Sequence, residues 1–549
     1  MTGMRATAAA VERERGPLSV PAFRAIWTTS LLGNAALLIL GVGASWAMTD
    51  MTSSPRLVAA VQTALMLPVM LLSMAAGAVA DMYDRRRVVL AALSLASGGA
   101  ALLTLLAAAG LVTPGVLLVA CFLIGCGVAL AGPSWQGSAA EQVPPPLVAP
   151  AIALNSISYN VARSLGPAAG GVIVKAGGAV AAFGAAAILY LPLIAAFFAW
   201  RRVREPSRLP PERLGYAIGG GLRYIVNAPP VRALLVRLAL TGLLAGSLSG
   251  LMPLVVRDIL GGGAGVYGLM LGIIGAGALT GALTAGELRR RYPNEWLVRA
   301  GTAITGSAYL VVALSPSLWL TAPALFAMGA AWMVFVTVMN IGVQLLVPRW
   351  VAGRALAGYQ AAIMGGLALG SWSWGQVAGA FGVAQALIVS GVVTLGAVLL
   401  GRWFPMPREA TVEEGSGLAT PAVALALTAR SGPITIEIGY RVDPARAREF
   451  YTAMQEVRLI RKRNGAYQWL LSRDVAAPDA WLERYHYLTW ADYLRQRDRR
   501  TAEEEAFERD MLARLVHPDG IVVRRWLERP FGSVRWKDET PDPGQPAGV

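Results

Sequence analysis

The chain repeats itself once at a fixed offset. The same 204 residues separate Gly77-Ala78-Val79 and Arg85-Arg86-Arg87 from Gly281-Ala282-Leu283 and Arg289-Arg290-Arg291. Val143-Pro144, Gly166 and Gly171 recur with that offset as Val347-Pro348, Gly370 and Gly375. Pro21-Ala22-Phe23-Arg24-Ala25 resembles Pro229-Pro230-Val231-Arg232-Ala233 after a small insertion, at 208. The repeat is parallel and both copies are apolar, so two similar bundles are expected to face each other across an interface. Parallel repeats in membranes place a binding site near the bilayer midplane at that interface.

Composition places both halves in a membrane. Of 549 residues 55% are hydrophobic and 15% charged, with a mean hydropathy of +0.52, against roughly 25% charged in an ordinary soluble domain. Apolar stretches of about 20 residues, the length that crosses the hydrocarbon core, begin near Ile26, Leu57, Val88, Gly115, Ala149, Ala179, Ala233, Val266, Leu297, Leu318, Ala355 and Val383. Twelve spans, six per half, are expected.

Arginine is concentrated in alternate loops. It precedes the first span (Arg5, Arg13, Arg15, Arg24) and lies between spans two and three, six and seven, and eight and nine. The opposite loops carry little beyond Arg56, Lys175 and Arg257. The positive-inside rule then puts both termini in the cytoplasm of a bacterial inner-membrane protein. Topology accounts for most of the formal charge of +15, and no basic stripe with interleaved aromatics marks a nucleic-acid surface. Arg13 and Arg15 lead straight into a full-length span, so no cleavable leader is expected. Cys121 and Cys126 lie five apart within one span and form neither a disulfide framework nor a metal motif. His486 and His517 are the only histidines, which removes a histidine-based site from the membrane. No metal and no cofactor are expected.

Gly77-xxx-Asp81-xxx-Arg85-Arg86-Arg87 falls at the end of span two and in the following loop. A small residue there permits close helix approach, and the acid and arginines can latch one half to the other. The pattern resembles the loop signature G-x-x-x-D-R-x-G-R-R of the major facilitator superfamily, with Met82 in place of the first basic residue, Asp84 in place of the glycine, and Ala285 in place of the acid in the second copy. Asn155, Asn160, Arg163 and Gly166-Pro167-Ala168-Ala169-Gly170-Gly171 lie in span five. Proline and clustered glycine weaken the helical ladder and suit a helix that bends or slides. This resembles the span-five signature of exporters in that superfamily, with Gly166, Pro167, Gly170 and Gly171 as its core. A charge such as Arg163 costs about 2.5–3.5 kcal/mol at a helix centre on insertion scales, so it is expected to face a cavity or a partner.

Phe23-Arg24-xx-Trp27, Gly221-Leu222-Arg223-Tyr224-Ile225 and Val347-Pro348-xxxx-Gly353-Arg354-Ala355 are similar to the enterobactin-exporter, or transmembrane secretion effector, branch. That resemblance implies alternating-access export of a siderophore, drug or other hydrophobic metabolite. Proton antiport is expected mainly by analogy, because no acid lies in a span interior. Asp50 and Asp81, both near helix ends, are the candidates for proton coupling. Asn34, Asn155, Tyr159, Asn340, Gln344, Tyr359 and Gln360 are candidates for the substrate cavity, with Trp46, Gln62, Arg163, Trp374 and Gln376 as further polar or aromatic residues; amides also serve as interhelical glue.

After Pro407 the composition turns polar and charged. Strands are expected at 434–438, 467–473, 481–488 and 521–527, with helices from Asp443-Pro444 to about Arg463 and from about Trp490 to Leu515. This βαββαβ order is a ferredoxin-like unit. It resembles the dimeric α+β barrel of antibiotic-biosynthesis monooxygenases. Trp490-xx-Tyr493-Leu494-Arg495-Gln496-Arg497-x-Arg499-x-Thr501 is similar to a stretch in related transporter tails that carries histidines where Tyr493 and Arg497 stand. The tail is therefore expected to bind or dimerise rather than catalyse.

The expected fold is an all-α polytopic membrane protein of two pseudo-symmetric six-helix halves (1–200 and 231–404), joined by a cytoplasmic linker (201–230). A second linker (405–432), a cytoplasmic α+β ferredoxin-like domain (433–530) and a tail (531–549) follow. The expected partners are the lipid bilayer, a small-molecule substrate, protons as coupling ion and a second copy through the tail. A tail that modifies the compound, and a membrane sensor that no longer transports, are the alternatives.

Overall fold

The computed structural model describes residues 16–201, 214–406, 421, 423–425, 427, 428, 430–518 and 520–528. The chain divides into two compact units, Met1–Ile218 with Ala233–Val343 and Leu356–Pro407, and Gly219–Arg232 with Gln344–Ala355 and Arg408–Val549.

The first unit is helical. Its first half contains α1 (Pro21–Met51), α2 (Pro55–Met82), α3 (Arg85–Ala108), α4 (Pro114–Gln142) and α5 (Val148–Ala199). Proline in the first turn starts α1, α2 and α4, where its missing N–H costs nothing. Asp84 caps α3 by accepting from the Arg87 amide, and Thr113 caps α4 through the Val116 amide. After the short α6 (Leu214–Asn227) come α7 (Pro229–Leu254), running into a π-turn at Val255–Ile259, then α8 (Ala264–Arg291), α9 (Asn294–Leu314), α10 (Leu318–Leu345), α11 (Arg349–Phe381) and α12 (Val383–Gly396). Among the described residues ten helical stretches are long and apolar enough to cross a membrane; α11, with its clustered glycine and amide residues, is not one of them.

One of the ten is too long for a single crossing. The 52 residues of α5 would extend about 78 Å as one helix, against a hydrocarbon core of about 30 Å. The helix breaks at Gly178, at φ 69° and ψ −171°. Gly382, again 204 residues on, takes φ 93° and ψ 160° between α11 and α12. Both are left-handed positions that favour glycine, so the sequence repeat reappears as a repeated corner.

It reappears in packing too. A Cβ at Gly125 in α4 would sit 2.7 Å from the Leu65 carbonyl oxygen of α2, and one at Gly329, 204 residues later, would collide with the Ile274 carbonyl of α8. Helix approach this close relies on missing side chains. Exposed leucines, isoleucines and phenylalanines such as Leu71, Leu105, Leu165, Ile188 and Phe198 cover the outside of the bundle, as a lipid-facing surface requires.

The second unit contains a four-stranded antiparallel sheet, β1 (Ile434–Arg441), β2 (Tyr467–Arg473), β3 (Ala480–Tyr487) and β4 (Val522–Leu527), in the order β2-β3-β1-β4. Alternation in β1 buries Ile434, Ile436, Ile438 and Tyr440 against Phe450, Met454 and Val457 of α13 (Ala447–Arg463). The single helix expected from Trp490 to Leu515 is instead two, α14 (Trp490–Asp498) and α15 (Ala502–Leu515). Thr501 starts the second with a capping box to Glu504, which competes with helix continuation at that residue. The same unit takes in Tyr224 of α6 and Trp350 of α11. Their rings meet edge to face at 5.6 Å, and the Arg499 guanidinium lies 4.1 Å over Trp350.

Candidate functional site

The two halves meet along two helix pairs, and the repeated glycines build both. In α5, a Cβ at Gly166 would lie 3.1 Å from Leu38 Cβ and one at Gly170 3.1 Å from Ile39 Cα, so these glycines press on α1 of the same half. Gly171, one residue round, faces the other half: its Cβ would sit 2.6 Å from the Gly268 Cα of α8. The equivalent residues of α11 divide the same way. A Cβ at Gly370 would collide with the Leu243 carbonyl of α7, while one at Gly375 would sit 2.7 Å from Ala59 Cβ of α2. Each copy of the motif thus holds its own half with one glycine and touches the opposite half with the other.

Further contacts between halves extend inward from the end that carries Gly178 and Gly382. Ser164 backs onto Gly275, where a Cβ would be 2.5 Å from the Ser164 Cα. Thr63 donates to the Ala368 carbonyl at 3.0 Å, and Trp46 stacks on Tyr267 with centroids 6.0 Å apart. Arg257, in the π-turn, donates to the Thr49 carbonyl at 3.0 Å and pairs with Asp258 at 2.6 Å.

The polar residues expected in the cavity separate into groups. Tyr159 and Arg163 of α5 lie within electrostatic reach of Tyr359 of α11. Tyr359 is buried and its hydroxyl donates to the Val336 carbonyl at 3.1 Å, whereas Tyr159 is 47% exposed and Arg163 half-buried. Asn34, Asn155, Asn340 and Gln360 are half-buried, and Gln344 is exposed near the end of α10. Gln62 donates to Ser45 at 3.3 Å and Trp374 to the Leu243 carbonyl at 3.2 Å, each within its own half. Asn160 donates to the Ser156 carbonyl in its own helix.

The loop motif is placed differently from its sequence reading. Among the described residues a Cβ at Gly77 would meet nothing within 4 Å, so no close approach depends on it here; its repeat partner Gly281 is tight against Ala330 of α10. Arg85 donates to the Gly137 carbonyl at 2.9 Å and pairs with Glu141 at 3.2 Å, and Arg86 donates to the Phe197 and Phe198 carbonyls. These arginines staple α3 to α4 and to the end of α5. Arg87 supplies the amide capped by Asp84. Asp81 closes the last turns of α2, and its side chain lies outside the described residues. Asp50 is exposed at the end of α1, within electrostatic reach of Arg257.

Two arginines escaped the sequence reading. Arg257 appeared there only as a sparse loop charge; a π-turn, a frequent mark of functional positions, has no signature in this sequence. Arg237 in α7 is 2% exposed and grips Glu295 of α9 with two bonds of 2.6 and 3.0 Å, while Glu295 also accepts from the Met406 amide. An arginine in a span without a nearby acid in sequence was the available signal.

In the tail, Arg461 is buried between Glu483 (3.1 Å) and Glu508 (2.6 Å), and Tyr440 and Trp469 donate to Glu483 at 2.7 and 2.9 Å. Burial works against ionising Glu508, but Arg461 and Arg500 outweigh it and hold the carboxyl below the ordinary glutamate range. Burial and then the Glu483 charge push the Tyr440 hydroxyl well up. Tyr493 accepts from both Arg497 (3.2 Å) and Arg525 (2.8 Å), so the two positions where related tails carry histidine contact each other. His486 lies 3.1 Å from Glu528. Among the described residues no three His, Cys, Asp or Glu groups cluster as metal ligands.

A helical body of two repeated bundles, meeting through paired small-residue helices, has the architecture of a polytopic transporter of the major facilitator type. The model of the transmembrane secretion effector family matches residues 14–530, and the chain belongs to that family. It is 27% identical over 355 residues to the MFS-type transporter YfiS of Bacillus subtilis, covering 61% of this chain and 81% of that one. It is also 27% identical over 310 residues to the multidrug efflux pump Tap of Mycobacterium tuberculosis, covering 54% and 73%. Among solved structures, a bacterial homologue of the lysosomal transporter Spinster superposes with a TM-score of 0.58 at 15% identity over 72% of this chain and 99% of that one. A D-xylose–proton symporter gives 0.56 at 14% identity, over 71% and 99%. These two likenesses show the fold.

Proposed function

We propose that this chain is a twelve-span secondary exporter of a hydrophobic or amphipathic small molecule, working by alternating access between its two halves. Twelve crossings follow if the two arms of α5 and the long α11 each span once. The reading is carried by one observation: Gly166 and Gly171 of α5, and Gly370 and Gly375 of α11, each pair one contact within a half with one contact across it. A helix packed through backbone on both sides can slide or tilt without repacking side chains. Basic loops assign the Asp84 end and both termini to the cytoplasm of a bacterial inner membrane, so the contacts near Gly178 and Arg257 seal the outer side. Export rather than uptake is supported by the span-five signature and by the name of the efflux relative.

Proton antiport through Asp50 or Asp81 remains part of the proposal, with Gly77, Asp81 and Arg85–Arg87 serving the opposite closed state. The four-stranded tail is read as a ferredoxin-like cytoplasmic module for binding or pairing with a second copy. The test is accumulation of lipophilic dyes in efflux-deficient bacteria expressing the chain, with and without a protonophore, beside Asp81→Asn. Lower accumulation that is lost with protonophore supports a proton-driven exporter. Unchanged accumulation of every dye, with the protein present in the membrane, contradicts export of such compounds, and export insensitive to the protonophore contradicts proton coupling.

A further inference from the structure

Arg163 lies halfway along the first arm of α5, fifteen residues from Val148 and fifteen from Gly178. At 1.5 Å per residue it is about 22 Å from either end, too far for its side chain to reach a membrane surface. Its direction follows from its neighbours. Gly166 and Gly170 mark the face turned to α1, and Ser164, Ala168 and Gly171 the face turned to α8. A rotation of about 100° per residue puts Tyr159 on the stripe of Gly166 and Gly170 and Arg163 at the edge of that stripe nearer α8, where its carbonyl oxygen would lie 2.8 Å from a Cβ at Gly275 of the other half. Tyr359 of α11 lies within electrostatic reach of both.

The charge has no counter-ion in view. The described carboxylates of the helical body lie near helix ends and are engaged elsewhere: Asp84 caps α3, Glu141 pairs with Arg85, Asp258 with Arg257, Glu287 with Arg290 and Arg291, and Glu295 with Arg237 and Arg299. Asp50 sits at the far end of α1 near Arg257. Among the described residues Arg163 makes no hydrogen bond or ion pair, and it is only half-buried. The Tyr359 hydroxyl proton is committed to the Val336 carbonyl, so this ring offers the guanidinium a lone pair but no full charge. Tyr159, half exposed beside it, supplies an aromatic wall.

We propose that Arg163 is the anion-recognising residue of the transport path, and that the preferred substrate is an amphipathic organic anion whose carboxylate, sulfonate or phosphate pairs with this guanidinium while its apolar body lies against the exposed ring of Tyr159. The inference rests on the export reading and narrows its substrate class. A guanidinium presents a planar fork of donors that matches such oxyanions with two parallel bonds. In a site of low dielectric a cationic amphipath would meet an uncompensated like charge, and a neutral one would leave the guanidinium unpaired.

The test uses the full chain in phosphatidylcholine nanodiscs, with 11-(dansylamino)undecanoic acid and its neutral methyl ester as probes and empty nanodiscs as background. Wild type is expected to bind the acid at least tenfold more tightly than the ester. Arg163→Gln is expected to lose at least tenfold affinity for the acid with little change for the ester, and Arg163→Lys, which keeps the charge without the fork, to fall between the two. If Arg163→Gln does not fold, the cationic analogue dansyl-undecylamine on wild type decides: tighter binding of the amine than of the acid overturns the proposal. Equal affinity of wild type for acid and ester, or an acid preference that survives in Arg163→Gln, overturns it as well. Replacing part of the lipid by phosphatidylglycerol distinguishes sources: Arg163-dependent competition assigns the anion to a lipid headgroup, and undiminished binding assigns it to a soluble acid. Export of the ester without acid preference defeats this inference alone, and acid-selective binding without export of any probe defeats the export reading alone.

Discussion

The helical body and the tail join their elements by opposite means. In the body, α5 meets α8 where side chains are missing, with Gly171 on Gly268 and Gly275 on Ser164. In the tail, the space between α13, α15 and the sheet is filled by Arg461, Glu483 and Glu508. Backbone-on-backbone contact has no polar partner to lose and can persist through a small slide. A buried ion network has one good geometry and a steep cost for leaving it. The contrast teaches which surfaces are built to move and which to hold.

The comparison can be broken most severely at Gly171. Gly171→Leu forces a side chain into the Gly268 backbone, and dye export by membrane-inserted protein is expected to fall at least tenfold. In the tail, Glu508→Gln takes the carboxylate from Arg500 and leaves Arg461 with Glu483 alone; removing one partner of a buried pair typically costs about 3–5 kcal/mol, read as earlier loss of tail tyrosine and tryptophan fluorescence signals in denaturant. Acid sharpens the contrast without mutation. Because the folded Glu508 value is depressed below the ordinary 4.5, its contribution is complete above that value and disappears as pH falls through the lower folded one. The tail should therefore loosen in that acid window, while the glycine contacts, which hold no titrating group, do not.

Smaller effects separate the two crossings. Gly375→Ala meets a methyl group, Ala59 Cβ, rather than backbone, so a severalfold loss of export should be recovered in the double variant with Ala59→Gly. Gly171→Ala has no such rescue, since its partner is already glycine. Thr63→Val removes the bond to the Ala368 carbonyl and should cost about 0.6 kcal/mol, the average of measured interhelical bonds in membranes, visible as a slight shift in thermal stability.

Much of the architecture was readable because the repeat constrains it. The offset found from Gly77, Gly166 and Gly171 also relates Gly178 to Gly382 and Gly125 to Gly329, positions the sequence reading did not use. The strands of the tail stood out through alternation, as in Ile434, Ile436 and Ile438. What could not be read was partnership. Gly166 and Gly171 are both small residues in one motif, yet one faces α1 and the other α8, a distinction set by helix rotation. Gly77 looks like a packing glycine and has open space before it. The electrostatic reach of Tyr159 and Arg163 to Tyr359 links residues some 200 positions apart, and local pattern holds no record of it. The break of the last tail helices at Thr501 was legible in principle, since Thr501 and Glu504 spell a capping box, but a continuous polar helix fitted the same stretch.

Alternating access through these crossings is most directly tested by tethering them. Lys175 and Gly265 lie on opposite halves, where a Cβ at Gly265 would be 3.2 Å from Lys175 Cδ. With Cys121 and Cys126 replaced by serine, Lys175→Cys and Gly265→Cys can be bridged by a short bis-methanethiosulfonate reagent while dye export is followed. Export that stops on bridging and returns on reduction is the predicted result; bridged protein that exports at the unbridged rate would contradict movement of one half against the other.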